Sequence, residues 1–439
     1  MKRFLLLGLF VVLMADSMFG WGLGIGPGLS IKNALLYLIL LLLALEFAVT
    51  REKRIFELPG IHLSFVLLIA LATFSWAANT FAGSYVDYQP VRGFIALKGY
   101  MLDHYLFLMV FFLGVRSQLD VIFLQRWILA VIAIGSILTV MDAYNLPNLN
   151  VIEVRGDGRV TGPLGEANQY GLFVAMFLPM LVAKAWASKG FERVVFGVGA
   201  LFTFWVLVLT VSRGAYFALF VGSLVAAIYL KPFLNARFVR FALAGVLVLV
   251  CAAILLLGQE YADLIMERTV EAGSRGDAYE MSSGRTWIWA SALGLMLDQP
   301  LSLITGYGWR TFTDTMGLAP HNTYFGRFFE LGVLGLLLFV GLMVAVLRYT
   351  KQAIGSGSVE RTNLLPALMS FVFGFCVLLV GLFFVDLFQA WYFVWAYCGL
   401  AMRGMAEALR QSGVSEATTT ATNNGVPALA GVRIRNRRV

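Results

Sequence analysis

The chain has 439 residues, of which 60% are hydrophobic and 13% are charged, and its mean hydropathy is +0.81. Its apolar runs repeatedly reach the roughly 20 residues that a helix needs to cross a bilayer, so the composition excludes an ordinary water-soluble protein. The formal net charge of +8 at pH 7 does not indicate nucleic-acid binding, because the basic residues alternate with apolar runs as in membrane topology. The 3 cysteines lie inside apolar runs and indicate neither a disulfide framework nor a zinc site.

The apolar runs, taken in chain order, predict about twelve transmembrane helices. The first run, MKRFLLLGLFVVLMADSMFGWG, starts like a signal peptide but has no clear cleavage site, so we interpret it as an uncleaved span. The predicted spans lie near residues 4–19, 32–50, 60–79, 100–115, 127–143, 169–187, 194–211, 214–230, 241–257, 328–347, 365–385 and 389–402. The sequence therefore predicts an all-α polytopic membrane protein.

Lys and Arg residues concentrate in the connections that share a side with the N-terminus. Short cytoplasmic connections are enriched in these residues, so an even number of spans with both termini in the cytoplasm is predicted. Residues 1–257 then hold spans one to nine, 258–327 form a long external loop with short helices, and 328–403 hold the last three spans. Residues 404–439 are predicted to be a disordered cytoplasmic tail, since they include the low-complexity stretch SEATTTATNNG.

Two features on the external side carry unusual polar chemistry. The connection YNLPNLNVIEVRGDGRVTGPLGEANQYG is rich in Gly, Asn and Pro, and it suits either a loop folded over a cavity or a plain turn-rich connection. The stretch VLVLTVSRGAYFALFVG places Arg213 between two apolar runs. An arginine at membrane depth is costly unless it is paired or faces a polar cavity, which makes Arg213 a functional candidate. The alternative is that it snorkels to the headgroups.

The loop 258–327 is the longest connection and holds eight acidic residues and five arginines. It is net acidic, so an anionic ligand would require individually positioned arginines. Within it, MSSGRTWIWASALGLMLDQP predicts a helix with Ser282 or Ser283 as its N-cap and a stop at 298–300. Arg285 would lie in the first turn, where free backbone N–H groups already favour an anion.

The stretch GLAPHNTYFGRFFELGVLGLLLFV places His321 immediately ahead of an apolar run. In the predicted topology His321 shares the external side with Arg213, Arg285, Arg310 and Arg327. Arginines bind phosphate oxygens in a bidentate manner, and a neutral imidazole accepts a proton near neutral pH. This combination suits transfer from a diphosphate-bearing donor. The alternative is that His321 only hydrogen-bonds a loop at the start of a helix.

Four segments resemble those of the bacterial O-antigen ligase and Wzy-type polymerase superfamily. PHNTYFGRFFELGVLG resembles its signature, in which a His-Asn pair precedes a late span and is followed by Glu-x-Gly. RVTGPLGEANQYGLFVAMFLPM, TVSRGAYFAL and SGRTWIWASAL resemble recurrent segments of the superfamily and occur in the same order. The resemblance covers residues 150–345 by motif and the whole chain by topology.

The resemblance implies a GT-C-like, inverting glycosyltransferase of the bacterial inner membrane that works without a metal or cofactor on the periplasmic face. It would move a glycan from undecaprenyl diphosphate to an acceptor hydroxyl, with Arg213 and Arg285 holding the diphosphate and His321 activating or orienting the acceptor. Possible substrate-binding residues are Asn322, Arg310, Arg159 and Glu166. The implied partners are the lipid-linked glycan, a lipid A-core acceptor and membrane lipids, with no nucleic acid.

The resemblance leaves the acceptor open between lipid A core, a growing polysaccharide and a Ser or Thr of an exported protein. We favour an O-antigen ligase, since the external loop is of moderate length and no soluble acceptor-binding domain is appended. A Wzy-type polymerase and a protein O-oligosaccharyltransferase are the alternatives. A secondary transporter or flippase would use the intramembrane groups Asp142, Glu46 and Arg213. The lack of half-to-half similarity and the polar chemistry on one face favour an enzyme.

Overall fold

The computed structural model describes residues 2–19, 24–26, 29–50, 57–81, 88–146, 159–234, 236–237, 239–240, 244–245, 263, 266, 284–358, 363–387 and 390–423. The described chain is almost entirely helical, and the predicted all-helical class is confirmed. The exception is a small antiparallel ribbon of β1 (Gly24–Gly26) and β2 (Leu29–Ser30).

The first group of described helices comes before residue 230. They are α1 (Lys2–Phe19), α2 (Ile31–Thr50), α3 (Pro59–Phe81), α4 (Pro90–Leu97), α5 (Asp103–Gly114), α6 (Gln118–Ala143), α7 (Ala167–Ala187), α8 (Gly190–Leu209) and α9 (Arg213–Tyr229). A π-helical turn, Lys98–Leu102, joins α4 to α5, and single 3-10 turns occur at Gly162–Leu164 and Lys231–Phe233.

The remaining described helices come after residue 284. Three short ones are α10 (Arg285–Asp298), α11 (Ser302–Thr305) and α12 (Thr311–Met316), and three long ones are α13 (Thr323–Gly355), α14 (Leu365–Gly381) and α15 (Ala390–Asn423).

Seven of the described helices are long and apolar enough to cross a membrane. They are α2, α3, the continuous run from α4 to α5, α6, α7, α8 and α13, while α9 and α14 are apolar but shorter. A helix occupies every predicted span except 241–257, which lies outside the described residues apart from 244–245. The count of twelve spans therefore stays a prediction, and the multi-pass membrane character is supported.

The helices differ in how much of their surface other helices cover. Protein buries 72% of the apolar window of α7 but only 22% of that of α2. Helix α7 packs against α8, α9 and α14, so it forms the centre of the bundle, whereas α2 presents leucines outward. Small residues allow close packing: a side chain at Gly222 in α9 would collide with the backbone of Val377 in α14.

Helix α13 is interrupted at Gly332, where φ is 66° and ψ is −169°. A side chain there would collide with the carbonyl of Ile304, and the positive φ also favours glycine. The interruption frees two carbonyls, which accept bonds from the loop after α11: Tyr307 N–H donates to Phe329 O at 2.8 Å and Gly308 N–H to Glu330 O at 3.0 Å. The first segment of α13 is thereby tied to the loop that precedes it.

The start of α10 corrects the sequence prediction. Its N-cap is Gly284, with φ 78° and no side-chain cap, and not Ser282 or Ser283, which lie outside the described residues. A glycine in the left-handed region turns the chain directly into the helix. The predicted stop is confirmed, because α10 ends at Asp298.

Helix α15 also differs from the prediction, because it continues to Asn423 and residues 404–423 are helical. Charge pairs at helical spacing support the first part of this extension. Arg403 and Glu407 pair at i,i+4, and Arg410 and Glu407 pair at i,i+3. The predicted disordered tail was placed at 404–439, of which 424–439 lie outside the described residues.

Candidate active site

One end of the bundle gathers the predicted site residues. Helices α9, α10 and α13 begin at this end, and α14 ends there, so Arg213, Arg285 and His321 lie at neighbouring helix starts. The chain that follows α14, residues 382–387, which we call the site turn, contacts all three starts.

Arg285 and the start of α9 both contact Phe384 of the site turn. Arg285 Nη1 donates to the carbonyl oxygen of Phe384 at 2.9 Å, which fixes the position of the guanidinium. Gly214, the residue after Arg213, packs so closely that a Cβ there would lie 2.7 Å from Phe384 Cβ. Arg285 and the start of α9, the helix that begins with Arg213, thus meet at one residue of the turn.

His321 adopts a left-handed backbone conformation, with φ 51°. Such a conformation is uncommon for a residue with a side chain, and it persists only where the surroundings enforce it. On one side, Trp289 Nε1 of α10 donates to Pro320 O at 2.7 Å. On the other side, the Asn322 side chain caps α13 by accepting from Phe325 N at 3.0 Å. The Asn322 oxygen is therefore engaged, and substrate would have to meet its amide nitrogen.

Two further bonds join the start of α13 to the site turn. Thr323 N–H donates to Leu382 O at 2.9 Å, and Thr323 Oγ1 donates to Val385 O at 2.8 Å. The backbone N–H of His321 donates to the carboxyl group of Asp386. Because these bonds hold His321 against the turn that also holds Arg285, the two predicted groups are positioned by the same short stretch of chain.

Asp386 was not predicted as a site residue. Its Oδ2 atom is buried and has no hydrogen-bond partner among the described residues. Burial raises the pKa of this carboxyl to about 7, against the lowering effect of the His321 N–H and of the Arg327 charge. A carboxyl group with a pKa near neutrality beside a histidine is characteristic of functional sites.

Arg327 and Glu330, one turn apart in α13, form a partly covered ion pair. Arg327 Nη1 lies 3.5 Å from Glu330 Oε2, and the two side chains are 17% and 10% exposed. The Arg327 guanidinium lies 5.3 Å from the ring centroid of the buried Trp309. Arg310, whose φ is 67°, lies 5.5 Å from the ring centroid of Tyr100. These side chains form a charged cluster next to the site turn.

An open cavity lies between this cluster and the site turn, and it has about 530 Å³ of empty space including its mouth. Its walls come from α13, the site turn, α15, the π-helical turn and the loop around α12. The lining residues are Tyr100, Trp309, Arg310, Thr313, Pro320, Thr323, Gly326, Arg327, Glu330, Asp386, Leu387 and Trp391. In the described part of the chain no group of three or more His, Cys, Asp or Glu could hold a metal ion.

Arg159 and Glu166, two of the predicted substrate-binding residues, do not line the cavity. Arg159 is buried, with Nε donating to Thr210 O at 2.9 Å and Nη2 donating to Asn168 Oδ1 at 2.8 Å. Glu166 caps α7 by accepting from the backbone N–H groups of Asn168 at 3.1 Å and Gln169 at 2.7 Å. Both side chains are occupied by local structure.

The hydrogen bonds around Arg159 extend to Ser212, the residue before Arg213. Ser212 Oγ donates to Asn168 Oδ1 at 3.1 Å, the same oxygen that binds Arg159. The loop before α7 and the start of α9 are therefore linked, and Arg159 holds the chain that presents Arg213.

The sequence carried a weak signal for each residue that was not predicted. Asp386 is the acidic residue in the short break between the last two apolar runs, and Glu330 belongs to the Glu-x-Gly motif. Arg327 was already grouped with His321 among the arginines of the external side, and its helical spacing places it near Glu330. What sequence spacing does not show is that these groups surround one cavity.

Residues 198–340 match the family model described as O-Antigen ligase, a stretch that includes Arg213, Arg285 and His321. No curated protein matches the chain.

Proposed function

We propose that the chain, whose residues 198–340 match the O-Antigen ligase family model, is a member of the O-antigen ligase and Wzy-type superfamily and transfers a glycan from a lipid-linked diphosphate to an acceptor hydroxyl. The observation that carries the proposal is the convergence of Arg285, the start of α9 and His321 on the site turn. This arrangement brings cationic groups and a base together at one end of a membrane bundle.

In the proposed reaction, Arg213 and Arg285 bind the oxygens of the diphosphate. Guanidinium groups match phosphate oxygens in a bidentate geometry, and they stabilise the negative charge that grows on the leaving diphosphate. The bond from Arg285 to Phe384 fixes its guanidinium before the donor arrives, so little reorganisation is needed when the sugar–phosphate bond breaks.

His321 is the proposed base. The acceptor hydroxyl attacks the anomeric carbon as the bond from that carbon to the phosphate oxygen breaks, and the hydroxyl proton passes to the imidazole. Attack from the face opposite the diphosphate inverts the anomeric centre. The products are the glycosylated acceptor and the lipid diphosphate.

For the substrates, we propose undecaprenyl diphosphate as the lipid carrier and a lipid A-core sugar as the acceptor, with the site on the periplasmic face of the bacterial inner membrane. The description of the matching family as O-Antigen ligase supports this acceptor. A Wzy-type polymerase would use the same chemistry with a growing glycan as the acceptor, so only the product separates the two.

The test is glycan transfer by the purified protein in liposomes, with an undecaprenyl-diphosphate-linked oligosaccharide, lipid A core and EDTA. His321→Gln is compared with His62→Gln, which changes a buried histidine in the first turn of α3. We expect His321→Gln to lower the transfer rate by about 10²- to 10⁴-fold and His62→Gln to retain it.

Other products in the same assay would identify the alternative functions. Lengthening of the donor glycan would identify a polymerase, and transfer to a peptide hydroxyl would identify a protein O-oligosaccharyltransferase. Transfer to lipid A core by a folded His321→Gln protein at the wild-type rate would refute the role of His321. Movement of the donor across the bilayer without covalent change would indicate a flippase.

A further inference from the structure

The cavity beside the site turn has a charge pattern unsuited to the diphosphate. Its lining includes the guanidinium groups of Arg310 and Arg327 but also the carboxyl groups of Glu330 and Asp386. A diphosphate here would meet two acidic side chains as well as the two guanidinium groups. A mixture of donors and acceptors instead matches a neutral ligand that carries several hydroxyl groups, each of which both donates and accepts.

Two of the buried polar atoms without a hydrogen-bond partner among the described residues lie at or near this cavity. Asp386 Oδ2 belongs to a lining residue. The His104 Nε2 atom belongs to a ring whose centroid lies 6.2 Å from that of Tyr100 and 6.5 Å from that of Trp391, both of which line the cavity. His104 is only 2% exposed. Burying such atoms without a partner is unfavourable, so native proteins rarely do so without a reason.

Tyr88 OH is another buried atom without a hydrogen-bond partner in the described part of the chain, and the Glu330 and Asp314 carboxylates act on it electrostatically. Burial and the Glu330 and Asp314 carboxylates raise the pKa of the Tyr88 phenol to about 12, which keeps it a neutral hydrogen-bond donor. Together with Asp386 and His104, it gives the region unused hydrogen-bonding capacity on several sides.

Aromatic side chains complete the lining. Tyr100 comes from the π-helical turn Lys98–Leu102, and Trp391 comes from the first turn of α15. Such π-helical turns occur frequently at functional sites. Aromatic rings offer flat apolar surfaces beside their polar groups, which suits the apolar face of a sugar ring.

We propose that this cavity binds the acceptor sugar as an uncharged pyranose, and that Asp386 Oδ2 accepts a hydrogen bond from one of its hydroxyl groups. The inference rests on the proposed transferase function and adds the place and chemistry of its acceptor. The backbone N–H of His321 bonds the same carboxyl group, so a sugar held by Asp386 lies next to the backbone of the proposed base, whose residue is not itself part of the cavity lining. Arg213 and Arg285, which do not line the cavity, are left for the diphosphate.

The first test fills the cavity. Thr313 lines it from α12, and Thr313→Phe adds bulk without removing any of the charged groups. The matched control is Leu318→Phe, which adds a ring just after the end of α12, at a side chain that is 53% exposed.

We expect Thr313→Phe to raise the KM for lipid A core about ten-fold or more, with the KM for the lipid-linked donor unchanged, and Leu318→Phe to alter neither. A rise in the donor KM alone would assign the cavity to the donor glycan and overturn the proposal. Unchanged constants in a folded Thr313→Phe protein would overturn it as well.

Asp386→Asn is the second variant, because it keeps the shape of the side chain and removes its charge. We expect the acceptor KM to rise about ten-fold, as for loss of one hydrogen bond to a charged group. Asp386 is a proposed binding residue, so an unchanged acceptor KM would exclude that role.

Binding of the isolated core oligosaccharide, measured by calorimetry on the same proteins, separates this inference from the proposed function. Binding by the wild type that Thr313→Phe weakens supports the cavity even where no transfer is detected, and the failure then belongs to the proposed reaction. Transfer by the wild type with equal binding by Thr313→Phe overturns the cavity and leaves the proposed function standing.

Discussion

Two clusters of charged residues lie at opposite ends of the bundle, and they are built differently. At the end away from the site, Arg403 of α15 is fully buried and pairs with Glu57 at 2.8 Å and with Glu407. At the site end, Arg327 Nη1 lies 3.5 Å from Glu330 Oε2, and both residues line a cavity. The first cluster joins α15 to the chain before α3, whereas the second borders open space.

The difference shows how one type of interaction serves two purposes. Burying charges costs several kcal/mol per ion, and close pairing with hydrogen bonds offsets that cost. The Arg403 cluster has this close pairing, although Arg403 Nε itself has no partner among the described residues. The site cluster keeps a looser pair and an Asp386 oxygen without a partner in the described chain, which leaves hydrogen-bonding capacity for a ligand. Stability should therefore depend on the first cluster and activity on the second.

The largest expected effect is on stability, from Arg403→Ala. Removing this buried partner leaves Glu407 with only the half-exposed Arg410, and we expect a loss of about 3–5 kcal/mol in the free energy of unfolding. Denaturant unfolding in detergent micelles measures this loss. The transfer rate per folded molecule should stay at the wild-type value, and a lower rate at unchanged stability would contradict the comparison.

At the site end, Arg285→Ala should lower the transfer rate and leave the stability of the protein unchanged. Loss of a group that stabilises the leaving diphosphate should lower the transfer rate about 10²- to 10³-fold. Arg126→Ala is the control, since Arg126 forms a half-exposed pair with Glu192 that contributes little. Rates at saturating acceptor, with melting temperatures of all proteins, test this prediction. An equal loss for both variants would argue against a specific role for Arg285.

The interruption of α13 supplies a third test. Gly332→Ala should destabilise the protein by about 2–3 kcal/mol, because the methyl group collides with Ile304 O and φ is positive. Gly341→Ala in the same helix meets nothing within 4 Å, so it should be neutral or stabilise by up to about 1 kcal/mol. Thermal unfolding of both variants checks the contrast, which equal melting temperatures would refute.

The smallest expected effect is the pH dependence that comes from Asp386. Its pKa rises from 3.8 to about 7 on folding, so the folded protein binds this proton more tightly than the unfolded chain does. Its contribution to stability is complete below about pH 4 and is lost as the pH rises to about 7.

The groups around Asp386 set this shift. Burial raises its pKa most and Glu330 raises it further, while the His321 N–H, Arg327 and Arg285 lower it. We expect the melting temperature of Asp386→Asn, measured relative to that of the wild type at the same pH, to increase as the pH rises from about 4 to about 7. A constant difference between the two proteins across this range would show that Asp386 titrates at its ordinary pKa.

The sequence predicted the features that depend on local composition. Apolar runs indicate membrane helices directly, and Arg213 and His321 stood out because a charged or titratable residue next to such a run is unusual. Over residues 198–340, the family prediction is confirmed by a family match. The roles of Arg213, Arg285 and His321 stay predictions.

Features that depend on distant contacts could not be predicted. Asp386 looked like part of a short break between two helices, and its importance comes from His321, which lies far away in the sequence. The interruption at Gly332 requires the loop at Ile304 to pack against α13. The extension of α15 beyond residue 403 is itself a polar stretch, so hydropathy gave no indication that it is helical.

The two bonds from Thr323 to the site turn have a consequence for the protein in different membranes. They join the start of α13 to the end of α14, so these two helix ends move together when the helices tilt. Arg285 is fastened to the same turn, and it follows the same displacement. A thinner or thicker bilayer would then shift His321 and Arg285 together. The distance between them would therefore not depend on the lipid composition of the membrane.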